Sequence, residues 1–330
     1  MNNRVSLTVA TTDYDHVRDF RIGEVKAEGI DVNWLNMDIH EIFSRFTFNR
    51  EWEVSELSFA KFIAQATREQ PDIIGLPVYT SRMFRFSSFY VNKKSGIKRP
   101  QDMAGKRVGV PEWAQTAAVY TRGWLQHEAG VDLTSIDWYQ AGTEQPGRIE
   151  KVELDLPKGM RLTPVMDKSL SQMLVNGDLD AIMVARAPLV YTRKHPDVAR
   201  LFPDYQAMEE EYFKRTKVFP IMHIVAMRRA VLDKNPWVAR NLYNAFEESK
   251  NRSFERALDI SVSRYPFPWM TDYVEKMQEK FGKDLFPYGI EESRPTLELF
   301  LQYAHEQGIA HRHAKVEEIF PPGIMVSVKV

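Results

Sequence analysis

Lys106-Arg107-Val108-Gly109-Val110, then Pro111-Glu112-Trp113-Ala114-Gln115, then Thr116 to Ala129 and Gly130, form the clearest unit in the chain. The first five residues set valines about a glycine and read as a strand. The next five make a loop. Thr116 opens a helix that Gly130 stops in a C′ position, with Val131 placed for the hydrophobic contact of a Schellman ending. A strand handing over to a helix, repeated along the chain, predicts an α/β protein with mostly parallel sheets.

The same alternation extends in both directions. Val5 to Ala10, Ile30 to Leu35, Glu53 to Leu57, Ile73 to Val78, Ile136 to Tyr139, Leu179 to Ala185 and Ile221 to Met227 read as strands, the last interrupted by His223. His40 to Arg50, Phe59 to Thr67 and Ser169 to Val175 have helical spacing, and Gly177 caps the third. Phe84 to Val91 reads as an extended segment, followed by the polar Lys93 to Gln101 with Gly96 and Pro100, the best early linker. In the last third, Asn235-Pro236 reads as an N-cap with proline at N1 of a long helix. Further helices run from Thr271 to Gly282 and from Ser293 to Gly308. There is no internal repeat and no low-complexity tract.

At 330 residues the chain suggests about two domains. Its 44 basic residues against 45 acidic ones give no electrostatic footprint for nucleic acid or an anionic membrane. With no cysteine, a disulfide framework, a thiolate nucleophile, an iron–sulfur cluster and a Cys-type zinc site are excluded. The N-terminal apolar run, Val5 to Ala10, contains Ser6 and Thr8 and falls short of a secretory core of about 7–15 apolar residues. Nothing approaches the ~20 apolar residues of a membrane span. The expectation is a cytoplasmic protein without a membrane or nucleic-acid partner.

Gly96-Ile97-Lys98-Arg99-Pro100-Gln101-Asp102-Met103-Ala104-Gly105-Lys106-Arg107-Val108-Gly109-Val110 resembles the I-x-x-x-x-D-L-x-G-K-x-[IV]-[GA]-V signature of type II periplasmic-binding-protein-like domains, with Met103 for the usual leucine. Asn176-Gly177-Asp178-Leu179-Asp180-Ala181 is similar to a second signature of that fold. A closer resemblance runs from Met1 to the last helix. Glu56-Leu57-Ser58-Phe59-Ala60-Lys61, Ser81-Arg82-Met83-Phe84-Arg85-Phe86, Val110 to Ala117 and Phe219-Pro220-Ile221-Met222-His223 resemble the 4,5-dihydroxyphthalate decarboxylase family. The resemblance implies a two-lobed fold, each lobe a mostly parallel sheet flanked by helices. It implies residues 1–94 and 213–330 in lobe 1, 95–212 in lobe 2, and crossings near Val91 to Gly96 and between Tyr205 and Lys217. The substrate is expected in a cleft between the lobes.

The implied reaction is non-oxidative loss of carbon dioxide from 4,5-dihydroxyphthalate, leaving protocatechuate. Direct loss would leave a costly aryl carbanion. Protonating the ring carbon that bears the carboxylate, while a para phenolate pushes electrons toward it, is easier. Such a site needs anion clamps, an acceptor for the phenol and an acid near the ring carbon. Arg82 and Arg85 are the first candidate clamps, because a guanidinium fork matches a carboxylate; a pair of surface arginines on an edge strand is the plainer reading. Arg186 follows a strand's C-terminal end, where ligands bind in open α/β sheets. The amides near Gln115 and Thr116 open a helix and can receive a carboxylate, although simple capping by Thr116 explains them as well. Ser58, beside Glu56 in a matched segment, joins the substrate-binding set. Glu112 is the candidate base, with Glu56 competing for that role.

His223, in a matched segment, is the first candidate acid, and His16, after the first strand's loop, the second. A hydrogen-bonded core histidine is the ordinary alternative for His223. His40, His127, His195 and His305 read as surface residues, and His311-Arg312-His313 lacks a metal-site spacing. No GxGxxG or Walker loop is present, so a cofactor-independent lyase acting on a small aromatic dicarboxylate is expected. A solute-binding protein for an aromatic carboxylate, without catalysis, is the alternative. A regulator's effector domain would need a DNA-binding module for which there is no room before the first strand. Trp269 and Phe286 read either as a homo-oligomer contact or as core.

Overall fold

The apolar runs become short strands in the computed structural model, which describes residues 4–324. In chain order they are β1 (Val5–Thr11), β2 (Ile30–Asn36), β3 (Val54–Ser58), β4 (Ile73–Arg82), β5 (Phe89–Asn92), β6 (Arg107–Val110), β7 (Asp137–Gln140), β8 (Arg161–Pro164), β9 (Ala181–Met183), β10 (Val198–Arg200) and β11 (Ile221–Arg228). They form two mixed sheets in two units.

The first unit comprises residues 4–82, 213–298 and 314–324 of the described chain, and its sheet has the order β2-β1-β3-β11-β4. β1 pairs in parallel with β2 and β3, while β11 is antiparallel to both β3 and β4. Thus β1, β3 and β4 run the same way, and the start of β11 meets their C-terminal ends. β3 is buried along its whole length, as is the helix Phe59–Ala66 that follows. Gly75 lets that helix lie close to β4: a Cβ there would come within 2.8 Å of the Phe62 ring. The helix Asp15–Arg21 packs on the long helix Val238–Leu258, with the Phe20 and Phe246 rings 5.0 Å apart. The long helix starts at Val238. Asn235 instead closes the preceding helix, its N–H donating to the Val231 and Leu232 carbonyls, so it is not the N-cap that the sequence suggests.

The second unit comprises residues 83–212 and 299–313, with the sheet order β10-β5-β9-β6-β7-β8. β9, β6, β7 and β8 are parallel, β5 runs against them beside β9, and β10 pairs antiparallel with β5 at that side. Its core gathers Tyr90, Leu170, Leu174, Leu179, Ile182 and Val184. The helix Thr116–His127 ends as expected: the Val131 N–H donates to the Leu125 carbonyl and Gly130 has φ +70°.

The unit boundaries differ from the sequence expectation. The second unit begins at Met83 instead of residue 95, because β5 is hydrogen-bonded between β9 and β10. The polar stretch taken as a linker forms 3₁₀ turns at Lys93–Ser95 and Pro100–Met103 inside this unit. Residues 84–91 are not extended throughout; Phe86–Ser88 is a 3₁₀ turn that packs Phe86 on Trp124. Residues 299–313, expected in lobe 1, belong here as well. The Gln307 carbonyl accepts from Trp113 Nε1 at 2.7 Å, its side-chain oxygen accepts from Arg122 Nε at 2.8 Å, and Phe300 lies against Tyr120.

Candidate active site

The most concentrated polar chemistry of the first unit lies where the C-terminal ends of β1, β3 and β4 meet the start of β11. Ligands of open α/β sheets bind at such ends. Glu56, on β3, is completely buried. Its Oε1 accepts from the Tyr14 hydroxyl at 2.6 Å and the Thr80 hydroxyl at 3.1 Å, and His223 Nδ1 lies 2.7 Å away. Oε2 accepts the Thr12 backbone N–H at 2.9 Å. Burial alone would push the Glu56 carboxyl up. The hydrogen bond and charge of His223, the Tyr14 hydroxyl and the Thr12 amide together outweigh burial and hold it below the ordinary carboxylate range. Burial, reinforced by the Glu56 charge, drives the Tyr14 hydroxyl far above its usual range, so it stays a phenol and donates.

His223 stands opposite Ser58 of β3 and Ser81 of β4 in the strand register, and the Phe43 ring meets its imidazole edge-on at 4.9 Å. Its side chain is 16% exposed, against none for Glu56. With Nδ1 turned to a carboxylate, Nδ1 is the donor and Nε2 is the nitrogen left for other partners. A buried carboxylate orienting an imidazole in this way suits proton transfer.

His16 lies beside this group, its ring 5.1 Å from Tyr14 and 5.0 Å from Phe286. Burial draws its imidazole down to about 4, against the opposing charges of Glu56 and Asp15, so at neutral pH it is an uncharged base and not a cationic acid. Phe286 is part of these surroundings and also faces Phe219, whereas Trp269 is 79% exposed.

Arg82 does not present its fork at the surface. It is buried, donates to the carbonyls of Phe219 and Pro287 at 2.8 Å and to the Ser293 hydroxyl at 2.6 Å, and lies over the Tyr79 ring. β4 continues through residue 82 instead of ending near Val78, which carries the arginine into the core.

The remaining candidates belong to the second unit. Arg85 donates to the Ala185 carbonyl at 3.0 Å, and burial lowers its guanidinium to about 10. Glu112 is wholly buried and ion-paired with Arg148 at 2.7 Å and Lys151 at 3.7 Å, so its carboxylate is already balanced by cations. Gln115 is the N-cap of the helix Thr116–His127 without a capping side-chain bond, and Thr116 is buried. The loop amides are partly used: Ala114 donates to Glu150 and Gln115 to the Glu112 carbonyl. Arg186 is exposed. His127, read as a surface residue, is exposed, pairs with Glu306 and stacks on Tyr303. Among the described residues no group of three or more His, Cys, Asp or Glu side chains is placed to hold a metal ion.

The structure therefore brings Ser58, Glu56, His16 and His223 together in the first unit and places Arg85, Glu112, Gln115, Thr116 and Arg186 in the second. Sequence reasoning missed Thr12, Tyr14 and Thr80. For Tyr14 a signal was available, since it lies in the loop directly after a parallel strand.

No family model matches the chain. Over 329 residues it is 34% identical to the 4,5-dihydroxyphthalate decarboxylase of Comamonas testosteroni, covering 99% of this chain and 100% of that one. The chain belongs to the 4,5-dihydroxyphthalate decarboxylase family. Decarboxylases of this family are carboxy-lyases. A second relative, the 4,5-dihydroxyphthalate decarboxylase of Pseudomonas putida, is 33% identical over 213 residues, 64% of this chain and 83% of that one. The type II periplasmic-binding-protein-like fold of this decarboxylase family member is shared with the periplasmic aliphatic sulphonate binding protein SsuA of Escherichia coli. The TM-score is 0.54 at 12% identity, covering 97% of this chain and 99% of that one. Among the described residues no helix is long and apolar enough to cross a membrane.

Proposed function

We propose that the chain decarboxylates 4,5-dihydroxyphthalate to protocatechuate and carbon dioxide, with His223 as the proton donor oriented by Glu56. Family membership supports the reaction. The observation that carries the mechanism is the buried Glu56 carboxylate, which collects Tyr14, Thr80, Thr12 and His223 at one sheet edge. In this reading His223 Nε2 delivers a proton to the ring carbon that bears the leaving carboxylate. The hydroxyl para to that carbon, its proton passed to solvent, supplies the electrons as a phenolate, and a new C–H bond forms. The C–C bond to the carboxylate then breaks, its electron pair returns to the ring, and aromaticity is restored as carbon dioxide leaves. The imidazole is reprotonated from solvent. The ring's own oxygen serves as the electron source, so no redox partner enters the balance.

Glu112, the candidate base, is given no role in this proposal, because Arg148 and Lys151 already engage it, and Glu56 acts by orienting His223. Arg85, Arg186 and the amides near Gln115 and Thr116 are proposed to receive the substrate's two carboxylates, and Ser58 to flank the ring beside His223.

The test is incubation of chelator-treated protein with 4,5-dihydroxyphthalate in deuterated water. Carbon dioxide and protocatechuate carrying deuterium at the vacated carbon are expected. His223→Asn is expected to bind the substrate and to lose at least about 100-fold in turnover. A wild-type rate in that variant removes His223 from the acid role. Binding without gas from the unaltered protein supports the solute-binding alternative.

A further inference from the structure

Beside the Glu56 group lie two buried polar atoms that the proposed chemistry does not use. Tyr288 is 2% exposed, and neither its hydroxyl nor His16 Nε2 has a hydrogen-bond partner among the described residues. Leaving such a group unsatisfied is costly, so a neighbouring pair of them points to an external partner. The two rings lie 6.5 Å apart at 67°, and His16 in turn stands 5.1 Å from Tyr14, whose hydroxyl is bound to Glu56. Lys250 Nζ, 4.9 Å from the centre of the Tyr288 ring, is paired with Asp284.

The roles of the two atoms are complementary. An uncharged imidazole has one donor and one acceptor nitrogen, and Nε2, the His16 nitrogen without a partner among the described residues, is assigned the accepting role. Tyr288, held as a phenol by its burial, has a proton to give. A hydroxyl can donate to the one atom and accept from the other. A carboxylate has no proton for Nε2 and is repelled by its lone pair.

We propose that His16 and Tyr288 form a hydroxyl-binding subsite that receives one phenolic oxygen of the substrate. This rests on the decarboxylase reading and deepens it: the catechol edge of the ring points to His16 and Tyr288, and the carboxylates point away from them. Donation from Tyr288 strengthens as negative charge grows on the bound oxygen, which favours the phenolate that pushes electrons toward the protonated carbon.

The experiment is equilibrium titration of the full chain and its Tyr288→Phe variant with protocatechuate and with benzoate, which differ only in the two hydroxyls. The variant is expected to bind protocatechuate about tenfold more weakly, the loss of one hydrogen bond, and benzoate within twofold of the unaltered protein. Its unfolding midpoint is expected not to fall, because the hydroxyl it loses has no protein partner. Equal weakening for both ligands, unchanged protocatechuate binding, or a midpoint lowered by several degrees each overturns the subsite. If the unaltered protein binds neither ligand, the subsite is overturned; the decarboxylase reading fails separately, if 4,5-dihydroxyphthalate yields no carbon dioxide.

Discussion

Glu56 and His16 respond to acid in separable ways. The His16 imidazole is drawn from its ordinary value near 6.5 to about 4, so on acidification the unfolded chain takes up a proton that the folded one refuses. The folded protein keeps its full stability above pH 6.5 and loses roughly 3 kcal/mol through this residue as the pH falls toward 4. His16→Gln is expected to flatten that decline in urea unfolding measured across the interval; an unaltered slope would show that His16 titrates normally. Glu56 is also held low, so its contribution is present above the ordinary carboxylate range and is lost only at more acid pH. Glu56→Gln keeps the shape and some hydrogen bonds but loses the carboxylate that orients His223. Turnover is expected to drop at least about tenfold while substrate binding changes little, as a kcat effect without a matching KM effect. Arg82 calls for a different measurement. Replacing it with alanine deprives the partly buried Phe219 and Pro287 carbonyls of their donor and empties a buried site, so a loss of about 2–4 kcal/mol is expected in denaturant unfolding. The sequence had suggested an anion clamp; an Arg82→Ala protein of unchanged stability and weakened binding would restore that role.

Elements are held by contacts that local propensity does not describe. Gly123 lies inside the helix Thr116–His127, where alanine would ordinarily add about 1 kcal/mol of helix stability. A Cβ there would sit 2.0 Å from the Tyr303 ring, so Gly123→Ala is expected to destabilise by about 1–3 kcal/mol instead. Adding Tyr303→Ala should cancel part of that penalty, and a thermal-unfolding double-mutant cycle checks the coupling. Strands show the same limit. Periodicity located β3 and β11 closely, yet β11 inserts antiparallel between two strands that run alike, which no pattern within a single strand announces. The polar Lys93 to Gln101 looked like a linker because turns and linkers share a composition. The pairing of β5 with β9 and β10 is what draws the chain into the second unit before that stretch begins.

Each unit is assembled from separated pieces of chain, and this governs what can fold alone. A fragment confined to 83–212 lacks Gln307, the acceptor for Trp113 Nε1 and for the fully buried Arg122 guanidinium. It is expected to show no cooperative thermal transition, and a fragment with 299–313 joined by a flexible linker is expected to regain one; circular dichroism distinguishes the two. The α/β class, nearly every strand and the glycine stop at Gly130 could be read from the chain directly, because alternation and capping depend on residues a few positions apart. His223 and Glu56 could each be singled out from their own segments. Their union could not, since they lie 167 residues apart and meet only because the β3–β11 register sets them at one sheet edge. Burial of Arg82 and the placing of Tyr14 against Glu56 were likewise settled by packing between distant segments, which decides whether a polar side chain finds water or a partner.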